Sequence, residues 1–311
     1  MATTLRIAGY QDARSVHTRA MRVLEASLHE TLGPAVAVEF EENIAARGRK
    51  VADLLELVES GALDLCYFSS SYLTVRVPAL GVFDIPFALA DRGRTRALLQ
   101  GALGQHLADE VASRTGYRVL GFWDNGLRNI SNRLRPIRRP EDCKGIRIRT
   151  LPSEGYHAAF RALGMEPVTI DVRDLVEAVA GETVDAQENP LTNLRQFGLQ
   201  KYHRHVTMTA HFHGIALLLG NAKTIEACAP QLRQALARAA ATATRAQWDF
   251  ATRDERESRA ALEADGVAIV DLDDAGRAAF RAVVRPLAER QFTALSAGLP
   301  ALLEGQSPIA T

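Results

Sequence analysis

Two stretches share one grammar: LLELVESGALDLCYFSSSYL at residues 54–73 and LVEAVAGETVDAQENPLTNL at residues 175–194. Each reads as an amphipathic helix, a glycine stop (Gly61, Gly181), a short strand carrying an aspartate (Asp64, Asp185) and a polar loop. Two similar α/β lobes are the simplest explanation, with duplication of unrelated features as the alternative. Ahead of the first stretch lie an apolar strand at 5–8 and a helix with Ala20, Val23, Leu24, Leu28 and Leu32 on one face. Gly33-Pro34 ends that helix, and an alternating strand follows at 36–40. Strand–helix–strand alternation predicts parallel sheets covered by helices.

The rest of the chain continues in the same style. A single helix is expected over 95–115, a strand over 117–123, and a turn or crossover at Asp124-Asn125-Gly126. A strand at 146–150 precedes Ser153, which suits the N-cap of a helix over 154–163. Strands are expected over 201–209 and 215–219, with His211-Phe212-His213-Gly214 between them. The Ala- and Arg-rich tract at 222–264 reads as one or two long helices. A strand at 266–271 and a helix at 273–295, interrupted or kinked at Pro286, complete the pattern. The last dozen residues are expected to fray.

At 311 residues the chain suits one large domain or two medium ones. Lys+Arg and Asp+Glu both number 37, so the formal net charge is zero. That excludes a duplex-DNA binder or a polybasic membrane-surface protein working through bulk charge. No run of 18 apolar residues occurs, so no membrane-embedded helix is expected. The first residues already read as a strand, with no basic and apolar leader. The protein is therefore expected to be cytoplasmic, or a mature form whose leader has been removed. Cys66, Cys143 and Cys228 are widely spaced, and no zinc or redox motif is present. At least one must be unpaired within the chain.

Residues that follow strands are the candidates for binding, because ligands of α/β sheets sit at the carboxyl ends of strands. They are 11–17, 43–47, 69–72, 125–128, Arg149, Asn189 and 211–213. Arg149 shares a strand face with Arg147 and stands beside a polar turn. Its planar fork can take a carboxylate in two parallel hydrogen bonds, or it can serve as a surface or salt-bridging arginine. Pro190 holds Asn189 in extended backbone, which makes it a ligand wall or a turn former. Glu188 beside it reads as solvated. Ser69–Ser71 reads as polar lining or a turn rather than a nucleophile. His203-x-His205 and His211-x-His213 could suggest a metal, but no acid or cysteine completes a site. No GxSxG, HExxH, P-loop or GxGxxG occurs. Neither a catalytic site nor a cofactor or metal is expected.

Residues 126–168, GLRNISNRLRPIRRPEDCKGIRIRTLPSEGYHAAFRALGMEPV, together with EAVAGETVDAQENPLTNL at 177–194, resemble the DctP-type solute-binding proteins of tripartite ATP-independent periplasmic (TRAP) transporters. The resemblance extends to QKYHRHVTMTAHFHG and over nearly the whole chain. It implies an α/β, two-lobed periplasmic-binding-protein-like fold, each lobe a mainly parallel sheet flanked by helices, joined by crossovers and a long helix. The lobes are expected at 1–124 plus 212–253 and at 125–211 plus 254–311. It also implies a periplasmic receptor, not an enzyme, that closes its lobes on a small organic acid and delivers it to TRAP membrane subunits. The carboxylate-clamping arginine falls on Arg149, a second arginine on Arg128, and the supporting asparagine on Asn189. Ser70, Arg47, Tyr72, Phe87, His211 and Phe212 are secondary cleft candidates. The rival readings are a cytoplasmic ligand-sensing module and an α/β enzyme acting on a small carboxylate.

Overall fold

The computed structural model describes residues 2–295 and 298–303. In chain order its elements are β1 (Thr3–Ala8), α1 (Val16–Leu32), β2 (Val36–Glu41), α2 (Asp53–Glu59), β3 (Leu65–Ser69), α3 (Arg92–Gln100) and α4 (Ala102–Arg114). Then come β4 (Tyr117–Asn132), β5 (Arg147–Thr150), α5 (Glu154–Ala162), β6 (Glu166–Thr169), α6 (Leu175–Ala180), β7 (Ala186–Asn189) and α7 (Leu191–Gln196). The chain continues as β8 (His205–Asn221), α8 (Ala222–Ala227), α9 (Pro230–Ala264), β9 (Ala268–Asp271), α10 (Asp274–Thr293) and α11 (Leu299–Leu302). The α/β class expected from the sequence is present, including the long helix.

The chain divides into two compact units. The first takes in the chain to Ser70, Leu107–Asp124 and Ile215–Asp254. The second takes in Ser71–His106, Asn125–Gly214 and the chain from Glu255 onward. Residues 71–106 and 212–214, expected in the first lobe, thus group with the second. Polar ties hold parts of these segments there. Asp84 accepts from the Ser71 hydroxyl at 2.8 Å and from the Ser153 hydroxyl at 2.5 Å, and the Phe87 N–H donates to the His211 carbonyl at 2.9 Å.

In the first unit β1 pairs in parallel with β2 and β3, and β3 pairs antiparallel with β8. Ser15 caps α1 by accepting from the Thr18 N–H. The helix then buries Met21, Leu24 and Leu28 against Leu5, Ile7, Leu65 and Leu218, with Leu236, Ala239 and Ala243 of α9 in the same core. In the second unit β5 pairs in parallel with β6 and β7, β7 pairs antiparallel with β4, and β9 runs parallel to β8. One core there gathers Ile130, Ile148, Tyr156, Phe160, Phe212 and Phe280. Another gathers Leu175, Val179, Val184, Leu194 and Leu262.

The repeated grammar has a repeated geometry. Ile7 pairs with Leu65 and Ala8 with Cys66; Ile148 pairs with Ala186 and Arg149 with Gln187. The Arg6 N–H donates to Asp64 at 2.6 Å, and its guanidinium to the Gly61 carbonyl at 3.0 Å. The Arg147 N–H donates to Asp185 at 3.3 Å, and its guanidinium to the Glu182 carbonyl at 2.9 Å. Arg6 lies opposite Glu39, and Arg147 opposite Glu166. Each aspartate thus pins the start of one strand to its parallel neighbour in the same way. On this register Arg149 corresponds to Ala8, Glu188 to Tyr67 and Asn189 to Phe68.

Three local expectations are corrected. At Asp124-Asn125-Gly126 the chain does pass from one unit to the other, but no turn forms: β4 runs unbroken, and Gly126 takes φ +84° with the Pro190 ring in the space a Cβ would need. β8 likewise runs through His211–Gly214, with a local distortion at Ala210, φ +45°, whose N–H the Asn129 side chain accepts at 3.0 Å. The single helix expected over 95–115 is two, α3 and α4, parted at Gly101. Of residues 300–311, expected to fray, 300–302 belong to α11 and 304–311 lie outside the described residues. Cys66 and Cys143 are buried free thiols, and Cys228 is half-buried and free. Among the described residues no helix is long and apolar enough to cross a membrane.

Candidate functional site

The second unit holds a buried polar cluster at the ends of β4, β5 and β7. Strand alternation splits it in two. Arg149, Gln187 and Asn189 lie on one face of the sheet with Ser131, and Glu188 lies on the other with Ile130 and Arg128. The four residues of β7 are all buried, although three are polar.

On the second face Arg128 and Glu188 form an ion pair with side-chain exposures of 1% and 0%. Arg128 Nε donates to Glu188 Oε2, and Nη2 donates to Oε1 at 2.8 Å and to the Glu188 carbonyl at 2.7 Å. Burial opposes ionisation of Glu188, but the charge and hydrogen bonds of Arg128 together with the neighbouring His211 outweigh it and hold the carboxyl below its ordinary pKa. His211 Nε2 stands 3.7 Å from the same carboxylate, beyond hydrogen-bond range, and burial holds the imidazole neutral by lowering its pKa. Arg128 also stands 5.8 Å over the Tyr156 ring, which stacks on Phe212 at 4.0 Å.

On the first face a chain of side-chain hydrogen bonds fixes the amides. Ser131 Oγ lies 3.0 Å from His203 Nδ1 and accepts from Gln187 Nε2 at 2.5 Å. Gln187 Oε1 accepts from Asn189 Nδ2 at 2.6 Å, and Asn189 Oδ1 accepts from Arg128 Nη2 at 3.0 Å. The relay therefore joins the two faces through Asn189.

Arg149 is handled differently from every other arginine near it. Its neighbour Arg147 lies half-exposed and doubly bonded to Asp185, at 2.9 Å for each contact. Arg149 is 1% exposed, donates from Nε to the Ile170 carbonyl at 2.9 Å, and has a buried Nη2 with no hydrogen-bond partner. Burial lowers its pKa, with Tyr72 and Glu188 acting against the shift, but a guanidinium stays protonated throughout the ordinary pH range. A buried cation without a carboxylate in contact is costly unless something else completes it.

Tyr72 lies beside this charge; burial raises its phenol pKa, and Arg149 pulls it back. Phe87 takes φ +61°, packs on the same core as Tyr72 and lies 5.7 Å from the Arg281 guanidinium. Phe212 is a core residue. Arg47 and Ser70 belong to the first unit. Arg47 is exposed and paired with Glu41 at 3.2 Å, while Ser70 is fully buried with an unpartnered hydroxyl. Glu188, read from the sequence as solvated, is instead the counter-ion of Arg128.

Sequence reasoning singled out His203 only as half of a His-x-His pair, and it missed Gln187, Ser131 and Asp84. Nothing in their hydropathy signals burial. Asp84 alone leaves a trace, as an acid inside the apolar run Val82-Phe83-Asp84-Ile85. Burial raises its carboxyl to about 6, with the two serine hydroxyls acting against the shift.

The repeat supplies an internal control. The positions of Arg149, Gln187, Asn189 and Ser131 are filled by Ala8, Cys66, Phe68 and Leu219 in the first unit, on the same strand register. The scaffold thus folds with apolar residues there.

Residues 8–294 match the family described as bacterial extracellular solute-binding protein, family 7 (DctP). The chain belongs to this family. Family 7 proteins bind solutes and are not enzymes. The chain is 31% identical over 242 residues to a solute-binding protein of Verminephrobacter eiseniae (strain EF01-2), covering 76% of this chain and 71% of the relative. It is 28% identical over 220 residues to the 2,3-diketo-L-gulonate-binding periplasmic protein YiaO of Escherichia coli (strain K12), covering 70% and 66%. Its fold matches the sugar acid binding protein DctPAm of Advenella mimigardefordensis strain DPN7T, solved with galactonate, at a TM-score of 0.93, 21% identity and 98% of both chains.

Proposed function

We propose that this family 7 protein is the periplasmic receptor of a TRAP transporter, and that Arg149 receives the carboxylate of a small organic acid. The observation that carries the reading is the buried, unpartnered Nη2 of Arg149 in a unit whose twin carries alanine at that place. A carboxylate bound there would complete the guanidinium with charge-assisted hydrogen bonds. Asn189, held by Gln187 and Arg128, supports the same acid from the adjacent strand. Tyr72 and His211 are polar groups for the rest of the ligand, and Phe87 and Phe212 support them from the core. Arg128 acts through Asn189, because its own charge is matched by Glu188.

A receptor of this kind works in the periplasm as a mature chain and hands its ligand to membrane subunits. The names of the E. coli and Advenella relatives, a keto-sugar acid and a sugar acid, agree with the charge and the polar lining. The reading is tested by calorimetric titration of galactonate and 2,3-diketo-L-gulonate into the wild-type protein and Arg149→Ala.

A further inference from the structure

We infer that the ligand carries one carboxylate and a neutral, hydroxyl- or carbonyl-bearing body, so that this receptor rejects the dicarboxylate of the same carbon chain. The inference rests on the reading of Arg149 as the carboxylate clamp.

It follows from the charges that are out of water. Among the described residues, Arg128 and Arg149 are the only buried basic side chains of the lysine and arginine type. Arg128 is spent on Glu188, in two side-chain contacts and a third to its carbonyl. Of these two, Arg149 is the one with an unmet N–H to give; Arg281, beside Phe87, also has a buried Nε without a partner but is only half-buried. A single carboxylate matches Arg149. The other ionised groups acting on Arg149 include Glu188 and Asp171, both negative, and Arg128, which is paired with Glu188, so a second carboxylate on the same ligand would meet no unmatched cation among them. Like charges at close range in a buried setting repel strongly, and such repulsion is a means of rejecting a wrong partner. The remaining groups suit a neutral, polar body. Tyr72 offers a phenol, Asn189 has a second amide N–H beyond the one given to Gln187, and the neutral His211 has a buried, unpartnered Nε2. Where a site is built to hydrogen-bond hydroxyls, a ligand lacking them leaves buried polar groups unmet.

The test is calorimetry on the full chain with matched pairs of acids: galactonate against galactarate, and erythronate against tartrate. The monoacid of at least one pair is expected to bind at least tenfold more tightly than its diacid. Equal or tighter binding of the diacids overturns the inference and leaves the Arg149 reading standing. Failure of all four acids to bind overturns the Arg149 reading and the inference with it. Glu188→Gln provides a second arm. Neutralising Glu188 frees the charge of Arg128, so the preference for monoacid should shrink severalfold in that variant. An unchanged preference in a folded Glu188→Gln protein contradicts the charge count, whereas loss of structure alone would lower both affinities together.

Discussion

Two buried titratable groups in the second unit pull stability in opposite directions with pH. Burial raises the Asp84 carboxyl to about 6, so the folded protein binds its proton more readily than the unfolded chain does. Its contribution to stability is present at low pH and declines as pH rises from about 4 to about 6. Burial lowers His203 to about 4, so its contribution is present above the unfolded value and is lost as pH falls from about 6.5 toward 4. Over the shared window the two offset each other, each by a few kcal/mol at most at roughly 1.4 kcal/mol per pH unit. Asp84→Asn removes one side. Its melting temperature relative to wild type is expected to be higher at pH 7 than at pH 4, with the gap opening between pH 4 and 6. Parallel profiles for the two proteins would contradict this. Neither group was legible as titrating from sequence, because burial, and not residue type, sets both values. Arg149 was legible as a candidate through its position at a strand end. What the sequence could not show is that Arg147, two residues away on the same face, is satisfied by Asp185 while Arg149 is left with an open N–H.

At the scale of elements, the helix–glycine–strand grammar carried real information. It located both copies of a unit in which an aspartate pins two parallel strands, down to the Arg6–Asp64 and Arg147–Asp185 contacts. It failed where a glycine let a strand continue in place of a turn. Gly126 shows the difference, since its positive φ and the Pro190 ring against it keep β4 intact beside Asn189. Gly126→Ala should therefore destabilise the protein by about 2–4 kcal/mol, from left-handed backbone strain and overpacking against Pro190. Denaturant unfolding measures the stability loss, and a galactonate titration should show weakened binding in step, because Pro190 holds Asn189. Wild-type stability of the variant would mean that the strand can yield without cost.

The whole molecule reconciles zero net charge with recognition of an anion. Some of its charges lie in exposed pairs, each worth little, such as Arg22–Glu42 and Arg259–Asp271. On the proposed function the recognising charge is a single buried one, Arg149. Composition could exclude bulk electrostatics but could not locate that residue. Length suggested two domains, yet the chain passes between its two units five times, and residues 71–106 group with the second, where Asp84 and Phe87 make hydrogen bonds. Saturating galactonate is expected to change the small-angle scattering profile, and identical profiles with and without it would contradict closure on the ligand.

The most direct measurement concerns Arg149 itself. The first unit places Ala8 at the equivalent position, so Arg149→Ala should fold with a melting temperature equal to or above that of wild type, having lost an uncompensated buried charge. Calorimetry with galactonate or 2,3-diketo-L-gulonate should then show affinity reduced by at least tenfold, in line with the roughly 2–5 kcal/mol lost when one member of a desolvated charge pair is removed. A folded Arg149→Ala protein that binds either acid with wild-type affinity would contradict the assignment of Arg149 as the carboxylate clamp.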